Sequence, residues 1–157
     1  RLIRTHGRQG SGDEALRLGM TARLDTLQAA VLLVKLEEFA SDLAARRRIA
    51  EIYEAELGNL VVTPKIGEGR ESAWALYTLR VENRDGVREK LAAGGVGTGL
   101  FYPLPLHRHA AFAPYVTGEE KLPVSEQLAG EVLSLPIFAD LGEDEIAHVI
   151  AQVKRAI

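Results

Sequence analysis

Residues 19–39 read GMTARLDTLQAAVLLVKLEEF, and the change of pattern inside that stretch organises the rest of the chain. Up to Leu24 there is little periodicity. From Asp25 the apolar residues Leu27, Val31, Val34, Leu36 and Phe39 recur at helical spacing, and Asp25 followed three residues later by Gln28 fits a capping box. The recurrence continues through Leu43, Ile49, Ile52, Tyr53 and Leu57, which predicts one long helix over 26–57, or two with a bend near Ser41. Alanines at 29, 30, 44, 45, 50 and 55 favour the helix and permit close approach of a partner. Lys35 sits within the apolar run. It reads as a snorkelling side chain rather than a Schiff-base lysine, which would need a cofactor pocket around it.

Before the helix, residues 1–24 carry glycines at 7, 10, 12 and 19 with charges between them, the pattern of a loop whose shape depends on its surroundings. After it, Pro64, Gly67 and Gly69 mark a connection over 59–72. Residues 74–81 alternate, with Tyr77, Leu79 and Val81 on one side, as a strand does. A short helix is expected over 83–93, closed by Gly94 and Gly95, then a second strand over 96–101. A helix over 123–132 feeds a strand over 132–135. Asp140 with Glu143 is expected to cap a last helix whose Ile146, Val149, Ile150 and Val153 share one side. The fold class expected is α+β: a short, mostly antiparallel sheet packed with helices and preceded by a long helix.

Two stretches concentrate chemistry. In FYPLPLHRHAAF, Pro103 and Pro105 stiffen the backbone beside Tyr102, His107, Arg108 and His109. His107 could exchange a hydrogen bond with a ligand and Arg108 could pair with an anion. The alternative is a proline-rich corner whose histidines satisfy only local hydrogen bonds. A zinc site is disfavoured, because His107 and His109 lack evident partners in His6 or His148 and no thiol exists. The second stretch is residues 19–25, where Thr21 and Arg23 precede the helix and suit a phosphate or carboxylate. Equally, Asp25 could be only a cap and Arg23 only a salt-bridge partner. The pairs Gly10/Gly12 and Gly67/Gly69 lack the strand-to-helix setting of a phosphate loop.

Composition narrows the classes. The chain has 157 residues, 46% of them apolar, enough for one compact core. Its 19 basic and 22 acidic residues give a formal charge of −3, which argues against a broad nucleic-acid footprint. With no cysteine, disulfides and thiolate metal sites are impossible. No apolar run approaches 20 residues and no signal segment stands at the start, so a soluble, cytoplasmic protein without membrane or nucleic-acid partners is expected.

Five stretches, RLIRTHG (1–7), the 19–39 segment, WALYTLRV (74–81), GLFYPLPLHRHAAF (99–112) and AGEVLSLPIFADLGEDEI (129–146), together resemble the carboxy-terminal portion of the DegT/StrS-type sugar aminotransferases. These are pyridoxal-phosphate enzymes of the aspartate aminotransferase fold, fold type I. The likeness runs in order over nearly the whole chain, and the forms of the helix start and of YPLPLH are most similar to the branch that aminates 3-oxo groups of nucleotide-linked sugars or uronic acids.

The resemblance implies a piece of a larger enzyme: residues 1–24 as the tail of a missing amino-terminal large domain with an active-site and dimer loop, 25–57 as a connecting helix, and 58–157 as the small domain. The lysine that carries pyridoxal 5'-phosphate would precede Arg1, so no catalytic residue is expected here and the piece alone should be inactive. Family members are homodimers with shared sites, in which a G-x-N-x-R-(M/L)-D segment reaches the partner's cofactor phosphate. Residues 19–25 match it with Thr21 in place of asparagine, a shorter side chain without the amide's donors. The resemblance thus implies Thr21 and Arg23 at the cofactor, Tyr102, His107 and Arg108 at the nucleotide-sugar end, and glutamate as amino donor. A noncatalytic sugar-binding, regulatory or structural relative is the alternative.

Overall fold

The computed structural model describes residues 2–8, 14–118 and 121–157. Arg1 and the Gly10/Gly12 pair lie outside these. Two compact units follow one another, Arg1–Ala40 and Ser41–Ile157. Helix α1, Thr26–Leu57, is continuous.

In the amino-terminal unit, α1 starts where the sequence predicts. Asp25 Oδ1 accepts from the Leu27 N–H at 2.8 Å, satisfying one of the first-turn amides that have no helical partner. The return bond from Gln28 is absent among the described residues, so only half of the predicted box forms. The apolar face expected here turns out to be no single face. Val31, Leu32, Leu33 and Val34 are consecutive, and at about 100° per residue they point in every direction; all four are exposed.

The second unit has a conventional core. From Ile49 onward α1 buries Ile49, Ala50, Tyr53 and Leu57. They pack in one cluster with Tyr77 and Leu79 of β1 (Tyr77–Arg80), Leu91 of α2 (Arg84–Ala93), Leu133 of β2 (Val132–Leu135) and Val153 of α4 (Glu143–Ala156). Helix α3 (Pro123–Glu131) leads straight into β2. The sheet is an antiparallel pair with Tyr77 opposite Leu135 and Leu79 opposite Leu133. Tyr53 and Tyr77 meet with ring centroids 5.1 Å apart, and the Tyr53 hydroxyl donates to the Pro136 carbonyl at 2.9 Å. Burial pushes both phenols' pKa values upward.

Three predicted elements differ. The strand expected over 74–81 begins only at Tyr77, because Trp74 has φ 47°, which breaks the extended run. The strand expected over 96–101 shrinks to a single bridge, Gly99 exchanging both backbone bonds with Ser134 at 3.0 and 2.8 Å. That stretch carries glycines at 97 and 99, which cost entropy and bring no side chain to pack. The cap predicted at Asp140 moves to Gly142, whose N–H is taken by Glu145 Oε2 at 2.8 Å. At the other end of α4, Lys90 of α2 donates to the Ala156 carbonyl at 2.8 Å, favoured by the charge a helix carboxyl end presents.

The resulting fold is α+β as expected, a short antiparallel sheet packed with helices and preceded by the long helix. Leu133 is fully buried at the sheet's centre, whereas Leu60 is 52% exposed. In urea denaturation, Leu133→Ala is expected to cost about 2–5 kcal/mol, and Leu60→Ala to stay within about 0.5 kcal/mol. Equal effects would contradict this placement of the core.

Candidate active-site segments

The loop ahead of α1 is held by backbone pairing. Met20 N–H donates to Ile3 O at 2.8 Å, Ala22 N–H to Arg4 O at 3.1 Å, and Thr21 stands opposite Thr5 in an antiparallel bridge. This approach requires glycine at 19. A Cβ there would lie 2.2 Å from the Gly7 nitrogen and 2.5 Å from the His6 carbonyl carbon, both backbone atoms that cannot swing aside. The pairing leaves Thr21 Oγ1 3.3 Å from His6 Nε2. Arg23 is exposed and makes no hydrogen bond or ion pair among the described residues, so the salt bridge weighed for it does not form among them. An unpaired guanidinium two residues from a hydroxyl is a donor set that fits a phosphate dianion, and on that chemistry the segment is compatible with a pyridoxal phosphate group.

The second place is an open pocket of about 840 Å³ wholly within the carboxy-terminal unit. Its wall is mostly apolar and aromatic, with Phe101, Tyr102, Phe112 and Tyr115 from the proline-rich segment and Leu128 and Val132 from α3 and β2. His107, His109, Ser125 and the hydroxyls of Tyr102 and Tyr115 bring the polar atoms. Two 3-10 turns, Leu106–Arg108 and Ala110–Tyr115, shape this rim, and Pro103, Pro105 and Pro114 limit its freedom.

Tyr102 and His107 therefore line the same pocket. Arg108 does not reach the pocket wall. It turns to α3, where Glu126 Oε1 accepts from its Nη2 at 2.5 Å and its Nε at 3.1 Å. The same oxygen stands 3.1 Å from His107 Nε2, and the His107 side chain is only 10% exposed. His109 turns elsewhere, its Nε2 lying 3.3 Å from the Leu104 carbonyl. Local hydrogen bonding of the kind weighed as the plain alternative is thus present at His109, whereas His107 and Arg108 reach a shared carboxylate on α3. No three His, Asp or Glu side chains gather for a metal among the described residues.

Glu126 escaped the sequence reading because the contact joins positions 18 and 19 residues apart. The available signal was an acid in the first turn of a proline-started helix, where the helix dipole favours a carboxylate. Arg108, then His107, holds its carboxyl below the ordinary range.

Comparison with known proteins agrees with this architecture. Residues 1–154 match the DegT/DnrJ/EryC1/StrS aminotransferase family. The chain belongs to that family. Among its similar members is the erythromycin biosynthesis sensory transduction protein EryC1 of Saccharopolyspora erythraea, 42% identical over 98% of this chain and 42% of its own length. Another is the UDP-2-acetamido-2-deoxy-3-oxo-D-glucuronate aminotransferase of Pseudomonas aeruginosa, 40% identical over 96% of this chain and 41% of that protein. The crystal structure of a DegT DnrJ EryC1 StrS aminotransferase from Brucella abortus superposes with a TM-score of 0.91 at 38% identity, covering 98% of this chain and 41% of that one. The chain thus spans about two fifths of the length of the family members it matches. Within this family segment no described helix is long and apolar enough to cross a membrane.

Because Glu126's pKa is depressed in the fold, its contribution is full above the ordinary value of 4.5 and is lost as pH falls through the lower folded value. With Glu126 37% exposed, solvent screens much of the pairing. Proteolytic nicking within 101–118 is expected to rise on acidification below that range, and Glu126→Gln to produce the same nicking at neutral pH. A cleavage pattern that ignores both changes would contradict the role given to the pairing of Glu126 with Arg108 and His107.

Proposed function

We propose that the protein carrying this chain is a pyridoxal-phosphate-dependent aminotransferase that moves an amino group from glutamate to a 3-oxo sugar or uronic acid linked to a nucleotide. The observation that carries the reading is Arg23, exposed and without a partner among the described residues, two positions after Thr21 and ahead of α1 in a chain of this family. The name borne by the Pseudomonas aeruginosa relative supports the substrate class.

In this reading Thr21 donates its hydroxyl and Arg23 its guanidinium to the cofactor phosphate, on the neighbouring subunit of a homodimer. When bound, pyridoxal phosphate serves as the electron sink for the carbon that gains or loses the amino group. Everything assigned to this chain is binding and orientation. Tyr102 and His107 receive the nucleotide-linked sugar in the aromatic pocket, whose apolar wall excludes water from the ligand's flat faces. Arg108, committed to Glu126, supports His107 from behind. The apolar first half of α1, residues 28–39, supports the dimer and presents the loop before it. The lysine that carries the cofactor lies in the larger domain, so this chain alone does not turn over.

The name of EryC1 supports a second reading, a sugar-binding regulatory relative. One assay separates them. The whole protein is given pyridoxal phosphate, glutamate and a UDP-linked 3-oxo uronate, and 2-oxoglutarate and the amino sugar are measured together. Their appearance in equal amounts is the expected outcome; binding of the sugar nucleotide without either product would favour the regulatory reading.

Arg23→Ala in the whole protein is expected to raise the dissociation constant for pyridoxal phosphate about tenfold or more, the scale of one charge-assisted hydrogen bond. Arg23→Lys is expected to fall between, since it keeps the charge and loses the planar fork. Unchanged cofactor affinity in both variants would sink the assignment.

A further inference from the structure

Three donors converge on one oxygen of Glu126: Arg108 Nη2, Arg108 Nε and His107 Nε2. An ionised carboxylate can only accept hydrogen bonds. The Arg108 guanidinium cannot give up its charge, and by bonding the carboxylate it favours the ionised form. Hence the hydrogen between His107 and Glu126 belongs to the imidazole, on Nε2. A neutral imidazole carries a single N–H, so the other nitrogen, Nδ1, is then a lone-pair acceptor.

That second nitrogen is where the consequence lies. His107 lines the aromatic pocket, and its Nδ1 has no hydrogen-bond partner among the described residues. Arg108 is absent from the pocket wall and is neutralised by the same carboxylate. On the neutral ring Nδ1 is therefore an acceptor among the pocket's polar groups, the others being His109, Ser125 and the hydroxyls of Tyr102 and Tyr115.

We propose that Glu126 is a positioning residue that fixes His107 as the Nε2–H tautomer, so that His107 Nδ1 meets a neutral ligand group carrying a hydrogen-bond donor, an imide N–H or a sugar hydroxyl, rather than a carbonyl or phosphate oxygen. The ligand half of this statement rests on the functional reading given above; the tautomer half does not. Both donors occur in a nucleotide-linked sugar with a pyrimidine base, and they differ in a way that can be probed. Methylation at the base's N3 removes the imide donor and leaves the hydroxyls intact.

The test is two-bond 1H–15N correlation of histidine rings in the whole protein, read at the alkaline end of a pH series where the 15N shifts no longer change. The expected result is a pyrrole-like Nε2 and a pyridine-like Nδ1 for His107. Glu126→Leu removes the acceptor and should average the two nitrogens toward a tautomer mixture. If that variant does not fold, the wild-type spectrum still decides, because a proton found on Nδ1 overturns the proposal outright.

Addition of UDP-N-acetylglucosamine should then shift the Nδ1 resonance toward the hydrogen-bonded position. Loss of this shift with the N3-methyl analogue assigns the donor to the imide; its retention assigns it to a hydroxyl. An Nε2–H ring whose Nδ1 ignores both ligands would overturn the donor selection together with the sugar-nucleotide reading of this pocket, while the role of Glu126 in setting the tautomer would stand.

Discussion

Burial of the second half of α1 is the interaction on which the carboxy-terminal unit depends. A two-stranded sheet of four-residue strands is not stable by itself in water. It persists because Ile49, Tyr53 and Leu57 cover it from one side while α2 and α4 complete the cluster. The Tyr53–Tyr77 contact is central. It packs two large rings together, and the Tyr53 hydroxyl, which would be costly to bury unpaired, reaches the Pro136 carbonyl. The path of the chain after β2 is therefore tied to the helix by a bond at the core's edge. Around the sheet, Arg80 bonds Glu131 through two nitrogens at 2.7 and 3.0 Å, fastening the end of β1 to the end of α3.

This arrangement explains why the pocket stands where it does. Helix α3 is fixed at its carboxyl end by the Arg80–Glu131 pair and by continuity with β2, so Glu126, five residues earlier, is presented from a rigid support. The proline-rich segment has little buried surface of its own; no residue of its two 3-10 turns is buried. Its order comes from proline stiffness and from the two side chains, His107 and Arg108, that Glu126 holds. The proposed recognition of a flat, neutral group rests on these aromatic rings and on His107 held by a carboxylate.

How much of this was legible in the sequence varied with the range of the interaction involved. The extent of α1 and the buried side of α4 followed from periodicity and the end of α2 from Gly94 and Gly95, because a helix satisfies its own backbone and its signals are local. The strands were less legible. Trp74 reads as a strand residue by type yet takes φ 47°, and residues 96–101 pair with β2 at Gly99 alone. Neither outcome shows in the alternation of apolar and polar residues on which the strand reading rests. The same holds for the site. Tyr102 and His107 stood out through the prolines beside them, whereas Glu126 looked like one more acid in a helix's first turn. The divergence of Arg108 from the pocket could not be read from its place between two histidines. At the first loop the motif carried more, since glycine at 7 and at 19 is demanded by backbone crowding within the loop itself.

The first half of α1 poses the complementary case. A helix with apolar side chains on every side belongs in an interior, and Leu27, Leu33, Val34 and Leu36 are all at least 64% exposed here. A homodimer built with the rest of a larger protein would supply that interior, which is how the functional reading accommodates it. The account's central claim remains the pocket, and hydrogen–deuterium exchange of the whole protein tests it most directly. With UDP- or dTDP-linked sugars added, the account predicts slower exchange in residues 101–116 and 122–132. Protection elsewhere with none in these two segments would contradict it.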